Sequence, residues 1–323
     1  MAAGSAAPNS SSRAAALASG IIMTTRPSPL HSLQLAAPAG ARIQTLIKTR
    51  AAALPSSSGM DQRMEPTAAN QQAPTGRHAV QLPHGLDAET MPGHVAFILD
   101  GWHRRNGVPT PTTACLAGGE KWKEIVKVSA AWGISAFTTC FVCTENWCRP
   151  QVEMQILLQS YTALMHNVCE EFIKLNIQAR TIGDISRLPT PLQDALQMLE
   201  HRTTQNDGLK LSLGMNYGGR NEIVQACRRI VAKARNDQHL QLTDISEELL
   251  DEEMFTGWLP AHERSPDFYI RVGGNQRLSN FLLWQSAYTE FLFLDCLMLD
   301  MDEIMYAKAL LAYSKRKRIF GKY

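Results

Sequence analysis

The segment "HVAFILDGWHRRNGVP", residues 94–109, decides how this chain is read. It begins as a short apolar strand over 94–99 and passes at once into Asp100, Gly101 and a cluster of cations. A buried strand ending in an acid and a glycine suits metal and phosphate chemistry. The glycine lets backbone N–H groups approach an anion, and the carboxylate can hold a hard cation such as Mg²⁺ bridged to phosphate oxygens.

Reading outward, strands and helices alternate. "GGEKWKEIVKVSAAWG" (118–133) places Trp122, Ile125, Val126 and Ser129 at helical spacing and stops at Gly133. Further strands are expected at 134–142, 178–183, 209–216 and 267–272, and helices at 151–175, 189–206, 220–236 and 302–317. A polar, charged stretch runs to Pro266, and 279–294 precedes the last helix. This alternation predicts an α/β fold in a single domain, a mostly parallel central sheet flanked by helices. In such sheets ligands lie beyond the carboxyl ends of the strands. Polar, glycine-rich segments fall at four of those ends: Asp100-Gly101, "CTENWCRP" (143–150), "NYGGRNE" (216–222) and "RVGGNQRLSN" (271–280). Arg271 and Arg277 with Ser279 have the composition of a phosphate clamp.

The remainder of the chain narrows the options. A net charge of +2 points to no nucleic-acid partner. No run reaches the roughly 18–20 apolar residues of a transmembrane segment. Seven cysteines without scaffold spacing read as reduced thiols. Cys140-x-x-Cys143 with Cys148 lacks a second such pair or a paired histidine, and reads as packed thiols rather than a zinc site. "LDMDEI" (299–304) starts the last helix rather than forming a metal pair. There is no Walker loop and no G-x-G-x-x-G after a strand. Residues 1–60 contain no acid, are rich in Ala and Ser, and carry Arg13, Arg26, Arg42 and Arg50. That is the composition of a transit peptide of plastid type, expected to be disordered, with a polar linker over 61–87 and the folded domain over 88–323.

Over roughly 91–323 the motifs "HVAFILDG", "TENWCRPQVE", "NYGGRNEIVQA", "IRVGGNQRLSNFLLWQSAYTEFLF" and "KRKRIFG" resemble the cis-prenyltransferases, which include undecaprenyl and dehydrodolichyl diphosphate synthases. The resemblance implies a transferase that condenses isopentenyl diphosphate with an allylic diphosphate to give a cis-polyprenyl diphosphate. It further implies Mg²⁺, a hydrophobic tunnel for the growing chain, and a homodimer or a heterodimer with a related subunit, in the plastid stroma. By the same resemblance Asp100 is the metal-binding acid and Glu290 a second metal-linked acid near a partner subunit. Arg271, Arg277 and Ser279 clamp isopentenyl diphosphate. Asn146, Trp147 and Glu153 belong to a loop that positions substrate, with Gly101 and Arg104 on the first phosphate loop. Leu157, Leu158, Leu164 and Met165 are either tunnel lining or ordinary core.

The departures from the family pattern are specific. Asp-Gly-Asn-x-Arg-Trp reads Asp100-Gly101-Trp102 here, so either three residues are lost, or Arg104 keeps its spacing and the asparagine becomes Trp102. The Gly-His pair becomes Ala114-Cys115, the serine before "TENW" becomes Cys143, and the segment after Arg271 reads Val272-Gly273-Gly274-Asn275 in place of one ending in Glu. Each lost charge-assisted phosphate contact costs about 1.5–3 kcal/mol. The alternatives are therefore an active enzyme with reduced rate, an impaired paralogue serving as a prenyl-diphosphate-binding or accessory subunit, and an enzyme with altered prenyl coupling or cyclisation.

Overall fold

All five residues of β1 (His94–Ile98) are buried, which a strand achieves when helices cover both faces of its sheet. The computed structural model describes residues 82–101, 111–236 and 241–318. The chain divides into residues 1–71, which lie outside that range, and 72–323, which carry the sheet. The strands are β1, β2 (Ala136–Cys140), β3 (Gln178–Ile182), β4 (Lys210–Gly214), β5 (Phe268–Arg271) and β6 (Glu290–Phe293). They run parallel in the order β3-β4-β2-β1-β5-β6. The α/β architecture expected from the alternation is therefore present, and among the described strands every pairing is parallel.

Strand periodicity sorts the core into two layers. Val95, Phe97, Leu99, Phe268 and Ile270 face one apolar cluster, with Trp122, Phe172 and Tyr306. Ala96, Ile98 and Tyr269 face the other, with Tyr217 and Phe281. Helices α1 (Pro111–Ala131), α2 (Gln151–Lys174), α3 (Thr190–Thr203) and α6 (Glu303–Ser314) supply the first layer. The remaining helices are α4 (Gly219–Asn236) and α5 (Glu247–Glu253). Trp122 meets Phe141 edge-to-face at 4.8 Å between ring centroids. Truncating a buried aromatic of this kind costs about 3–5 kcal/mol.

Three elements differ from the expected boundaries. Helix α1 starts at Pro111, not at 118, because proline is well suited to a first helical position. Gly118 and Gly119 lie inside the helix, where a Cβ on Gly119 would come within 3.1 Å of Leu164 on α2. Strand β6 and helix α5 fall in segments to which no element had been assigned. β6 is a four-residue edge strand, half-buried at every position, so it carries no alternating pattern. Helix α5 is short and acidic, held by Ser246, whose Oγ accepts from the Leu249 N–H at 3.3 Å. The last helix does begin as read: Asp302 caps α6, its Oδ1 accepting from the Met305 N–H at 2.7 Å. None of the described helices is long and apolar enough to cross a membrane.

Candidate active site

The register of the sheet assembles the site. Ile98, the last residue of β1, pairs with Cys140 of β2 on one side and Arg271 of β5 on the other. The chain then delivers Asp100 just beyond this row, where the connections from the adjacent parallel strands β1 and β5 lead to opposite sides of the sheet, to β2 and β6. Arg271 is only 4% exposed, so its charge needs partners. Its Nη2 donates to Asp100 Oδ2 at 2.9 Å, and its Nη1 donates to Ser279 Oγ at 2.6 Å and to the Arg277 carbonyl. The amide of Asn275 donates to the same Asp100 oxygen at 2.7 Å, and the Gly101 N–H donates to Asp100 Oδ1 at 2.7 Å. Arg271, Asn275 and the Gly101 N–H thus all donate to the Asp100 side chain.

Two glycines permit this approach. Gly273 has φ +90°, and a Cβ there would stand 3.0 Å from Asp100 backbone and side-chain carbons. Gly101 has φ +88°, and a Cβ there would meet Leu297 at 2.7 Å. Ser279 and Asn280 also hold left-handed backbone, φ 50° and 61°. Such conformations cost about 1–3 kcal/mol and persist where surrounding contacts enforce them. Here Asn280 ties three strand-end loops together. Its Nδ2 donates to Glu145 at 2.7 Å, its carbonyl accepts from Gly219 at 2.6 Å, and its Oδ1 accepts from the Arg220 N–H at 2.9 Å.

These loops enclose a cavity of about 530 Å³. Its polar side carries Asp100, Glu145, Asn146, Arg149, Arg271, Asn275, Arg277 and Ser279, and its apolar side Leu99, Phe141, Leu157 and Tyr161. Arg277 is exposed, and among the described residues its side chain has no acid paired to it. A lining that combines three arginines with apolar side chains fits a molecule with an anionic head and an apolar tail. Cys140 and Cys143 also line the cavity, their Sγ atoms 3.0 Å apart. The S–H shared between them pulls the Cys143 thiol below the ordinary cysteine value and, with burial, pushes that of Cys140 well above it.

The other candidates distribute unevenly. Asn146 sits on the 3-10 turn Thr144–Cys148, where its Oδ1 accepts from the Cys143 N–H at 2.8 Å. Trp147 stands behind the cavity: its Nε1 donates to Asn216 at 2.8 Å, and the Arg187 guanidinium lies 4.8 Å above its ring. Glu153 reaches the site through Arg149, to which it is paired at 2.7 Å. Arg104 and Trp102 lie outside the described residues. Glu290 is not brought to Asp100 within this chain. It pairs with Phe268 at the start of β6, three residues before the row of Arg271, roughly 10 Å down the strand. Its carboxylate is engaged by Arg316 at 2.7 Å. Of the α2 leucines, Leu157 lines the main cavity and Leu164 a second groove of about 280 Å³ between α1 and α2. Leu158 and Met165 are core. Cys115 lines that groove and is 3% exposed; burial pushes its thiol up to about 11, so it remains neutral.

Arg149 and Asn275 also belong to the site. Arg149 was legible as the cation of "TENWCRP", whereas Asn275 looked like a loss and proves to be a hydrogen-bond donor to Asp100. Among the described residues no group of three His, Cys, Asp or Glu could hold a metal ion. One carboxylate at the mouth of an oxyanion-suited cavity does fit Mg²⁺, which takes one or two carboxylates and completes its shell with substrate phosphates and water.

Comparison with known proteins gives the family. Residues 98–321 match the prenyltransferase family model whose description names undecaprenyl diphosphate synthase. Dehydrodolichyl diphosphate synthase 2 of Arabidopsis thaliana is 36% identical over 243 residues, covering 74% of this chain and 77% of that protein. A tomato (Solanum lycopersicum) relative, dehydrodolichyl diphosphate synthase CPT5, chloroplastic, is 36% identical over 75% of this chain and 77% of its own length. The crystal structure of lavandulyl diphosphate synthase from Lavandula x intermedia, in complex with dimethylallyl diphosphate, superimposes with a TM-score of 0.69. It is 36% identical and covers 72% of this chain and 100% of that one. The family model, the relatives and the shared fold show that this chain belongs to the cis-prenyltransferase family.

Proposed function

We propose that the chain condenses isopentenyl diphosphate with an allylic prenyl diphosphate to give a cis-polyprenyl diphosphate. The observation that carries this reading is the Asp100–Arg271–Ser279 chain of hydrogen bonds facing one cavity with Arg277. In this role Arg271, Arg277 and Ser279 hold the diphosphate of isopentenyl diphosphate as charge-assisted and hydroxyl donors. Asp100 would hold Mg²⁺, and the ion would supply positive charge to offset that of a departing diphosphate. Phe141, Leu157 and Tyr161 exclude water from the carbon skeleton, where an allylic cation would otherwise be trapped by solvent. Asn146 positions the turn that carries Arg149, and Glu153 orients Arg149. Trp147 acts from behind as a strut, and Glu290 serves as a metal-linked acid near a partner subunit in a homodimer or heterodimer. The groove between α1 and α2 receives the apolar tail.

Residues 1–60 act as a plastid transit peptide and 61–87 as a linker to the catalytic domain 88–323. The relatives named chloroplastic support delivery to the plastid, with the stroma as the site of action. A second reading, altered prenyl coupling, is favoured by the likeness to lavandulyl diphosphate synthase together with the changed first motif. The full chain with Mg²⁺ and labelled isopentenyl diphosphate, given dimethylallyl, geranyl or farnesyl diphosphate in turn, separates the two. Linear cis products are expected. Branched or cyclised products would favour the second reading, and no product from any starter would refute both.

A further inference from the structure

Among the described residues one pair of thiols, Cys140 and Cys143, touches sulfur to sulfur, and it does so inside the cavity assigned to the diphosphates. Their separation of 3.0 Å exceeds a disulfide bond by about 1 Å, within reach of a side-chain rotation. Cys140 ends β2, and Cys143 is held by a parallel bridge to Tyr217 and caps the following 3-10 turn. Cys143 is half-buried, and its contact with Cys140 lowers its thiol value, opposed by burial and Glu145 and aided by Arg149 and Arg271, so it is the more readily ionised of the two.

We propose that Cys140 and Cys143 are a redox-active dithiol which closes to an intramolecular disulfide by exchange with a small-molecule disulfide or a dithiol–disulfide oxidoreductase, and that closure lowers prenyl transfer. The first half stands on the thiol geometry, and the second rests on the reading of the cavity as the active site. The exchange balances. The Cys143 thiolate attacks one sulfur of the incoming disulfide, forming a mixed disulfide and releasing one thiolate. The Cys140 thiolate then displaces the second, so two protons and two electrons leave the protein and the oxidant becomes two thiols. The consequence follows from what Cys143 carries. Its N–H donates to Asn146 Oδ1, and Arg149, which caps the end of the same turn, donates its N–H to the Asn146 carbonyl. Drawing Cys143 onto Cys140, opposite Ile98 and two residues from Asp100, tethers that turn to the strand end.

The test uses the full chain, incubated with oxidised glutathione, alkylated, and sequenced by fragment-ion mass spectrometry. Fragment ions are needed because Cys148 lies only five residues beyond Cys143. A Cys140–Cys143 disulfide is expected, reversed by dithiothreitol, with at least a tenfold lower transfer rate in the oxidised form. In a Cys140→Ala variant that keeps its circular-dichroism spectrum, Cys143 should stop at the glutathione adduct. Alkylation of both thiols, or a stable adduct on Cys143 with Cys140 free in the unaltered protein, would overturn the proposal. A mapped disulfide with an unchanged rate would overturn the claim that closure lowers transfer. If the reduced protein transfers no prenyl group, the functional reading fails while a mapped disulfide still supports the dithiol.

Discussion

Asn275→Asp places a second carboxylate where an amide now donates to Asp100 at 2.7 Å. Two like charges about 4 Å apart repel by about 4 kcal/mol at an effective dielectric near 20. Arg271, already on Asp100 at 2.9 Å, offsets roughly half of this, leaving a net loss of about 2 kcal/mol. The pair escapes part of the cost by sharing a proton, so the folded state raises the value of one carboxyl above its unfolded value near 4. A raised carboxyl contributes stability below its unfolded value and loses it as pH climbs to the folded one. The variant should therefore resemble the unaltered protein near pH 4 and fall behind it progressively toward pH 7.5. The assay is urea unfolding across pH in a chelator. With a slope of roughly 2–3 kcal/mol per molar, the midpoint at pH 7.5 should drop by about 0.7–1 M. Added Mg²⁺ should recover most of it, since a divalent cation between two carboxylates reverses the sign of the interaction. A variant whose midpoint and pH slope match those of the unaltered protein would refute the assignment of Asn275 as a neutral donor to Asp100.

Other consequences are equally direct. Arg277→Ala should raise KM for isopentenyl diphosphate by about 10–100-fold, the value of one charge-assisted contact. Its urea midpoint should barely move, because the side chain is exposed; a KM within twofold would remove it from the clamp. Asp100→Ala should lower kcat/KM by about 10²–10³ or more, whereas loss of stability alone would leave turnover of the folded fraction intact. His94 is fully buried, its Nε2 2.7 Å from Thr138 Oγ1, and burial depresses it to about 4. A depressed histidine gives stability above its unfolded value of 6.5 that is lost as pH falls toward 4. About 2 kcal/mol should disappear between pH 6.5 and pH 5, and His94→Gln should flatten that limb of the urea curve.

How much of this was legible in the sequence depended on what each residue does in space. Asp100, Arg271 and Ser279 were readable because strand ends in a parallel sheet converge, so polar residues just past them share one site. Glu153, on the first turn of α2, reaches the site only through Arg149, and Trp147 carried the same motif-level signal as Asn146 yet faces elsewhere. A single 3-10 turn fans successive side chains in different directions, which spacing does not reveal. Asn275 read as a defect because its role depends on a contact 175 positions away. Glu290 lies on an edge strand with no alternation, so neither the strand nor its distance from Asp100 was visible. The contact between Cys140 and Cys143 was hidden for a related reason: i and i+3 are neighbours on a helix but not along a strand, and only the turn after β2 brings them together.

The most direct measurement of the central claim, that one cavity at the carboxyl ends of β1 and β5 holds the diphosphates, is a crystal structure of the full chain with Mg²⁺ and isopentenyl diphosphate. The account predicts diphosphate oxygens within hydrogen-bond distance of Arg271, Arg277 and Ser279, with the isopentenyl carbons toward Phe141 and Leu157. A diphosphate bound elsewhere, with Arg271 still closed on Asp100 and Ser279, would contradict it.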